Sequence, residues 1–91
     1  MDYFQLDRLI GERGAHRVII DVRKEDYAVT LLDISATEPA EPETRASWLA
    51  DGLPEAKMQA VILIGRELGA NSVEEYARIR KEISWRTVEA N

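Results

Sequence analysis

Val18-Ile19-Ile20-Asp21-Val22 and, beyond a charged Lys24-Glu25-Asp26 corner, Tyr27-Ala28-Val29-Thr30-Leu31-Leu32-Asp33-Ile34 are the stretches on which the fold turns. Both are rich in β-branched and aliphatic residues, and both alternate, so residues 16–36 read as a β-hairpin. A two-residue turn at Glu25-Asp26 pairs Val22 with Val29, Ile20 with Leu31 and Val18 with Asp33. Val18, Ile20, Val22, Val29 and Leu31 then share one face, the expected core face. The opposite face carries Arg17, Asp21, Arg23 and Thr30, but also Ile19, Leu32 and Ile34. It is too apolar at one end to be fully solvated, and a lone hairpin is marginal in water. A further strand, a helix or a second copy of the chain must add to this sheet. Ile19, Leu32 and Ile34 are the candidate surface for a homodimer. Asp33 lies on the apolar face, where an unpaired carboxylate is costly, so it is expected at the strand end or against Arg17 or Arg13.

The segments on either side are read from punctuation and period. Residues 2–13 suit a short helix, with Asp2 as cap, Tyr3, Leu6, Leu9 and Ile10 on one side, and Gly14 as the left-handed terminator. Residues 37–43, Thr-Glu-Pro-Ala-Glu-Pro-Glu, form an acidic connector whose prolines enforce extended geometry. Residues 44–51 suit a short helix capped by Thr44, with Trp48 and Leu49 facing inward and Gly52 at its end. Residues 54–68 are expected as the central helix, bracketed by Pro54 at a first helical position and Gly69 past its end; Val61-Ile62-Leu63-Ile64 also suits a strand, but the bracket and the length favour helix. Met58, Val61, Ile64, Gly65 and Leu68 make its stripe; Ile62 and Leu63 fall outside it, so contact from more than one side is expected. Residues 72–89 form the last helix. Ser72 and Glu75 make a capping box, and Val73, Tyr76, Ala77, Ile79, Ile83 and Val88 form the inner face. The expected fold is a single α+β domain over residues 1–91. Its β-hairpin, extended by a third strand or a second subunit, packs on two to four helices and ends in a C-terminal helical hairpin.

At 91 residues and without cysteine, the chain must hold itself together by its core or by an oligomer interface. Met1-Asp2-Tyr3-Phe4-Gln5-Leu6-Asp7-Arg8 has early acids and no apolar run, unlike a signal peptide. Ala60-Val61-Ile62-Leu63-Ile64-Gly65 is too short to span a bilayer. A soluble, cytoplasmic protein is expected.

The net charge of −5 is localised. Residues 25–55 hold Glu25, Asp26, Asp33, Glu38, Glu41, Glu43, Asp51 and Glu55 against Arg45 alone, whereas each flanking stretch carries one excess positive charge. Such a field speeds encounter with a basic surface and disfavours nucleic acid. Trp48 lies among these acids, and Trp85 falls outside the stripe of its own helix. Exposed tryptophans make good binding anchors. The candidate partner-binding residues are therefore Glu25, Asp26, Glu38, Glu41, Glu43, Trp48, Asp51 and Trp85.

Catalytic equipment is not legible in the sequence. His16 is the one histidine and has no ligand-spaced acids around it, so no metal and no cofactor are expected. Ser35, Ser47, Ser72 and Ser84 lie in no nucleophile context, and Gly11-Glu12-Arg13-Gly14 is not a phosphate loop. Gly69-Ala70-Asn71-Ser72 invites comparison with a helix-turn-helix, and Arg78, Arg80, Lys81 and Arg86 follow it. Glu74, Glu75, Glu82 and Glu89 are interleaved with them, which weakens a nucleic-acid footprint. Glu74, Arg78, Glu82 and Arg86 read as a solvated ladder of alternating sign. Arg80 projects into the apolar stripe and either snorkels or pairs with an acid.

In size, acidity and lack of catalytic groups, the chain is similar in general character to small inhibitors encoded by phages and mobile elements, anti-CRISPR and anti-restriction proteins among them. That likeness is one of composition. It implies a non-catalytic protein-binding module, an inhibitor that docks on a basic surface of a nucleic-acid-handling complex. The alternatives are a small DNA-binding regulator using the last helix, and an assembly subunit acting as an obligate homo-oligomer.

Overall fold

The computed structural model describes residues 8–35 and 43–88. Its strands are β1 (Arg8–Arg13), β2 (His16–Val22), β3 (Tyr27–Asp33), β4 (Glu43–Ala50) and β5 (Ser84–Val88), and its helices are α1 (Leu53–Leu68) and α2 (Val73–Glu82). The strands form one antiparallel sheet in the order β4-β3-β2-β1-β5. The class is α+β. Because β4 and β5 are the outer strands, the two helices carry the chain across the full width of the sheet.

The hairpin forms with a different register from the expected one. β2 and β3 pair Val18 with Leu31, Ile20 with Val29 and Val22 with Tyr27. The turn is four residues, Arg23 to Asp26, not two. The Arg23 N–H donates to the Asp26 carbonyl at 2.9 Å, and its guanidinium donates to both Asp26 carboxylate oxygens at 2.6 and 3.0 Å. That fork fixes the wider turn and slides the pairing by two residues. An even slip leaves every side chain on its face. Val18, Ile20, Val29 and Leu31 are accordingly fully buried.

Three segments expected as helix are strands in whole or in part; the expected Asp2 cap with residues 2–7, and residues 37–42 of the expected connector, lie outside the described residues. Arg8–Arg13 is β1, paired on one side with β2 and on the other with β5. Gly14, at φ +62°, begins the two-residue turn to β2 and terminates no helix. Glycine at the first turn position suits the right-handed twist of a tight hairpin. Residues 44–51 belong to β4, which pairs with β3 and carries a bulge near Arg45, where Leu31 faces Ala46 and Leu32 faces Thr44. The last helix stops at Glu82, because Ile83 is extended (φ −77°, ψ 126°) and Ser84–Val88 pairs with the open side of β1. In each case a remote strand supplies hydrogen bonds that local helical spacing does not reveal.

The helices keep their sequence signals. Pro54 lies in the first turn of α1, and Gly69 (φ +76°) closes it, with the Gly69 and Ala70 N–H groups donating to the Arg66 and Gly65 carbonyls. The Ser72 hydroxyl accepts from the Glu75 N–H at 3.1 Å, while the Glu75 carboxylate reaches back to the Asn71 N–H at 2.8 Å.

α1 covers one sheet face. Ala56, Ala60, Val61, Leu63 and Ile64 join the hairpin residues and Ala50 in one core cluster, to which α2 contributes Ile79 and the following residue Ile83. Small residues at 46, 50, 56 and 60 let α1 lie close over the β4 edge. Met58 and Leu68, expected on the inner stripe, are about half exposed, and Val73 is 85% exposed at the start of α2. Leu63, expected off the stripe, is buried.

Gly11 faces this core. A Cβ there would lie 2.8 Å from both the Ile83 Cγ2 and the Trp85 ring. Gly11→Val is expected to lower unfolding free energy by about 1–3 kcal/mol through overpacking. Urea denaturation of the variant against wild type measures it; an unchanged midpoint refutes the packing.

Candidate functional site

The sheet alternation sorts the predicted residues by face. Trp48 lies opposite Val29 on the helix-covered side, and Leu49 lies opposite Ala28 on the other. Both side chains remain open to solvent, Trp48 at 46% and Leu49 at 59%, because β4 is an edge strand. Leu49 was expected to face inward with Trp48 from a helix; a strand instead sends the two in opposite directions, so that they bracket the free edge. A shallow depression of about 460 Å³ runs along them, between Ala28, Val29, Thr30 and Ser47.

Acids gather at the end of this edge. Tyr27 pairs with Ala50, and the same register carried one residue further sets Asp26 opposite Asp51. Glu25 lies in the same turn as Asp26. The Asp51 N–H donates to the Glu55 carboxylate at 3.2 Å, which holds a fourth acid in the first turn of α1. Asp26 is partly neutralised by Arg23, whose guanidinium is in turn held above its ordinary pKa by that hydrogen-bonded carboxylate. Glu25, Asp26, Asp51, Trp48 and Leu49 thus form one contiguous surface.

The other predicted residues do not join it. Glu38 and Glu41 lie outside the described residues. Glu43 opens β4 opposite Asp33, at the far end of the eight-residue strand, about 26 Å from Asp51 at ~3.3 Å per residue. Trp85 is on β5, the opposite edge, about 19 Å away at ~4.8 Å per strand. It lies on the helix side, opposite Gly11, half-buried, with the Lys57 ammonium 5.5 Å from its ring centroid. The acidic flank read from the sequence is therefore divided between two ends of the sheet.

Other charged residues are committed to the scaffold. Arg8 pairs with Asp21 at 2.6 Å, Arg17 with Glu12 at 2.5 Å, Arg13 with Glu82 at 2.6 Å and Arg45 with Glu67 at 3.1 Å. Asp33 lies at the strand end, as one of the two expectations had it, and meets neither Arg17 nor Arg13. It lies opposite His16, and its carboxylate accepts from the Ser35 hydroxyl at 2.6 Å and the Ser35 N–H at 2.9 Å. Glu82, expected in a helix-surface ladder with Arg86, instead ties α2 to β1, because Arg86 has moved onto β5.

The candidate homodimer residues lie on the uncovered face. Ile19 sits opposite Ile10 and diagonal to Leu32, and the Arg8–Asp21 and Arg17–Glu12 pairs border them. All three apolar residues are half-buried, as is Ile34, whose N–H donates to the Ala15 carbonyl just past β3. Ile10 was missed because its strand was read as helix. Among the described residues, no group of three or more His, Asp or Glu side chains is placed to hold a metal ion, and no helix is long and apolar enough to cross a membrane.

Comparison with protein-family models, with curated proteins and with solved structures finds no match.

Hydrogen bonds from Ser35 depress the Asp33 pKa below its ordinary value. A depressed folded-state value means that the contribution to stability is complete above the unfolded carboxylate range near ~3.9 and fades as pH falls through the folded value. An NMR titration of the Asp33 carboxyl is expected to give a low midpoint that rises in Ser35→Ala; an unmoved midpoint would contradict this assignment.

Proposed function

We propose that this chain is a non-catalytic protein-binding module that docks through its β4 edge and the acidic end beside it. The observation that carries the reading is the exposed Trp48 and Leu49 pair on an outer strand, next to Asp26 and Asp51. A free strand edge offers unpaired N–H and C=O groups to an incoming strand. Trp48 on one face and Leu49 on the other supply the apolar contacts, and the carboxylates select a basic segment and speed its encounter. The bulge near Arg45 interrupts the near end of β4, so the regular stretch available is Ala46–Ala50. Glu38 and Glu41, between β3 and β4 in the sequence, and Glu43 at the start of β4 add further negative charge. A partner that handles nucleic acid has such basic segments, and carboxylates lodged in its phosphate sites would make the chain an inhibitor.

Affinity capture from host lysate with three baits tests this. Wild type is expected to retain a basic protein in a salt-sensitive manner. Trp48→Ala is expected to weaken retention by about 2 kcal/mol or more, as for a central anchor. Asp26→Lys with Asp51→Lys should slow association and flatten its salt dependence. Equal retention by all three baits sinks the proposal, as does salt-sensitive binding of DNA that depends on Arg78 and Arg80.

The uncovered face favours a second reading, self-association. The Ile10, Ile19 and Leu32 patch, framed by ion pairs, is self-complementary in kind for a two-fold interface. Light scattering at micromolar concentration is expected to give twice the chain mass in wild type and the single mass in Ile19→Asp. A wild-type monomer removes this reading.

A further inference from the structure

We infer that the cleft between the start of α1, the end of α2 and β5 binds a small organic anion with an apolar body. This site reaches Trp85 on the outer strand β5, and its wall at the start of α1 adjoins Asp51 and Glu55; it does not depend on the proposed protein-binding surface. The cleft has a volume of about 560 Å³, within the ordinary range of ligand pockets. Leu53, Pro54, Met58 and Val61 make its apolar wall, and Trp85 offers an aromatic surface.

Its charge is the telling feature. The chain carries −5 overall, yet among the described residues the charged side chains lining this cleft are two cations, Lys57 and Arg80. Among the described residues, no carboxylate lies within ion-pair distance of either. Lys57 is instead held over the Trp85 ring at 5.5 Å, a contact that leaves its N–H donors available. Two unneutralised cations at the rim of a concave apolar surface focus the field on one anionic head group. The apolar wall and the indole fit an aromatic or aliphatic body attached to it. Arg80, which the sequence left to snorkel or to pair with an acid, becomes the second arm of this site.

The probe is 8-anilinonaphthalene-1-sulfonate, with the uncharged N-phenyl-1-naphthylamine as its control. Saturable one-to-one binding of the sulfonate is expected, with the neutral analogue at least about tenfold weaker. Lys57→Gln combined with Arg80→Gln is expected to weaken the sulfonate by about tenfold while leaving the urea midpoint in place. In a Trp48→Phe background, the remaining Trp85 emission should change with the same saturation curve. Equal binding of the two dyes, undiminished binding by the double variant, or a silent Trp85 would each overturn the site. Should the double variant unfold, Arg80→Lys serves in its place; it keeps the charge but loses the planar fork, and an unaltered affinity for the sulfonate then also counts against the site.

Discussion

The contact of Val18, Ile20, Val29 and Leu31 with α1 is the interaction on which the rest of the molecule depends. These four side chains are fully buried, and burial of each is worth about 1.5–3 kcal/mol relative to exposure. They lie on the two strands nearest the middle of a sheet that is covered on one side only. Every other element either shields them or holds the shield in place. α1 lies directly over them, and α2 is tied to the sheet by Arg13 and Glu82. β1 and β4 flank the hairpin and supply the ladder bonds that a pair of strands alone would lack. The cost of single-sided cover appears on the other face, where Ile10, Ile19 and Leu32 remain only half-buried.

The parts of this arrangement that were legible in the sequence are those determined by neighbours along the chain. The hairpin faces were readable because alternation has a period of two, and they survived a slip of two residues caused by the Arg23–Asp26 fork. The limits of α1 were readable because Pro54 and Gly69 act within one turn, and so was the Ser72 cap. β1, β4 and β5 were not readable. Leu9 and Ile10 fit a helical stripe as well as a strand. Thr44 to Leu49 contain residues that suit either state, and Ile83 continues the helical spacing of Ile79. What decides each of them is a hydrogen-bonding partner elsewhere in the fold, and for β5 that partner is more than seventy residues away.

The same limitation governed the candidate site. Trp48 stood out as an anchor because it lies among acids, and its exposure follows from the edge position of β4. Leu49 was misplaced because a helix would send it toward the same side as Trp48, whereas a strand reverses it. Trp85 was set outside the stripe of a helix that ends at Glu82; it belongs to a strand and faces Lys57 rather than the acidic surface. Charge, summed along the sequence, gave one negative flank; the antiparallel turn of β4 back along β3 sends Glu43 and Asp51 to opposite ends. Linear charge sums are reliable for sign and unreliable for shape.

The pairing of β5 with β1 has a consequence for how the chain is made. Gly11 and Trp85 face each other across that ladder, 74 residues apart in sequence, so the sheet stays incomplete until translation has passed both helices. Throughout that interval β1 presents an unoccupied border on the nascent chain, the kind of border that recruits stray strands. Its charged residues Arg8, Glu12 and Arg13 act as gatekeepers there before they serve as ion-pair partners in the finished protein. Of the five described strands, the latest to emerge from the ribosome is thus the one that seals the earliest.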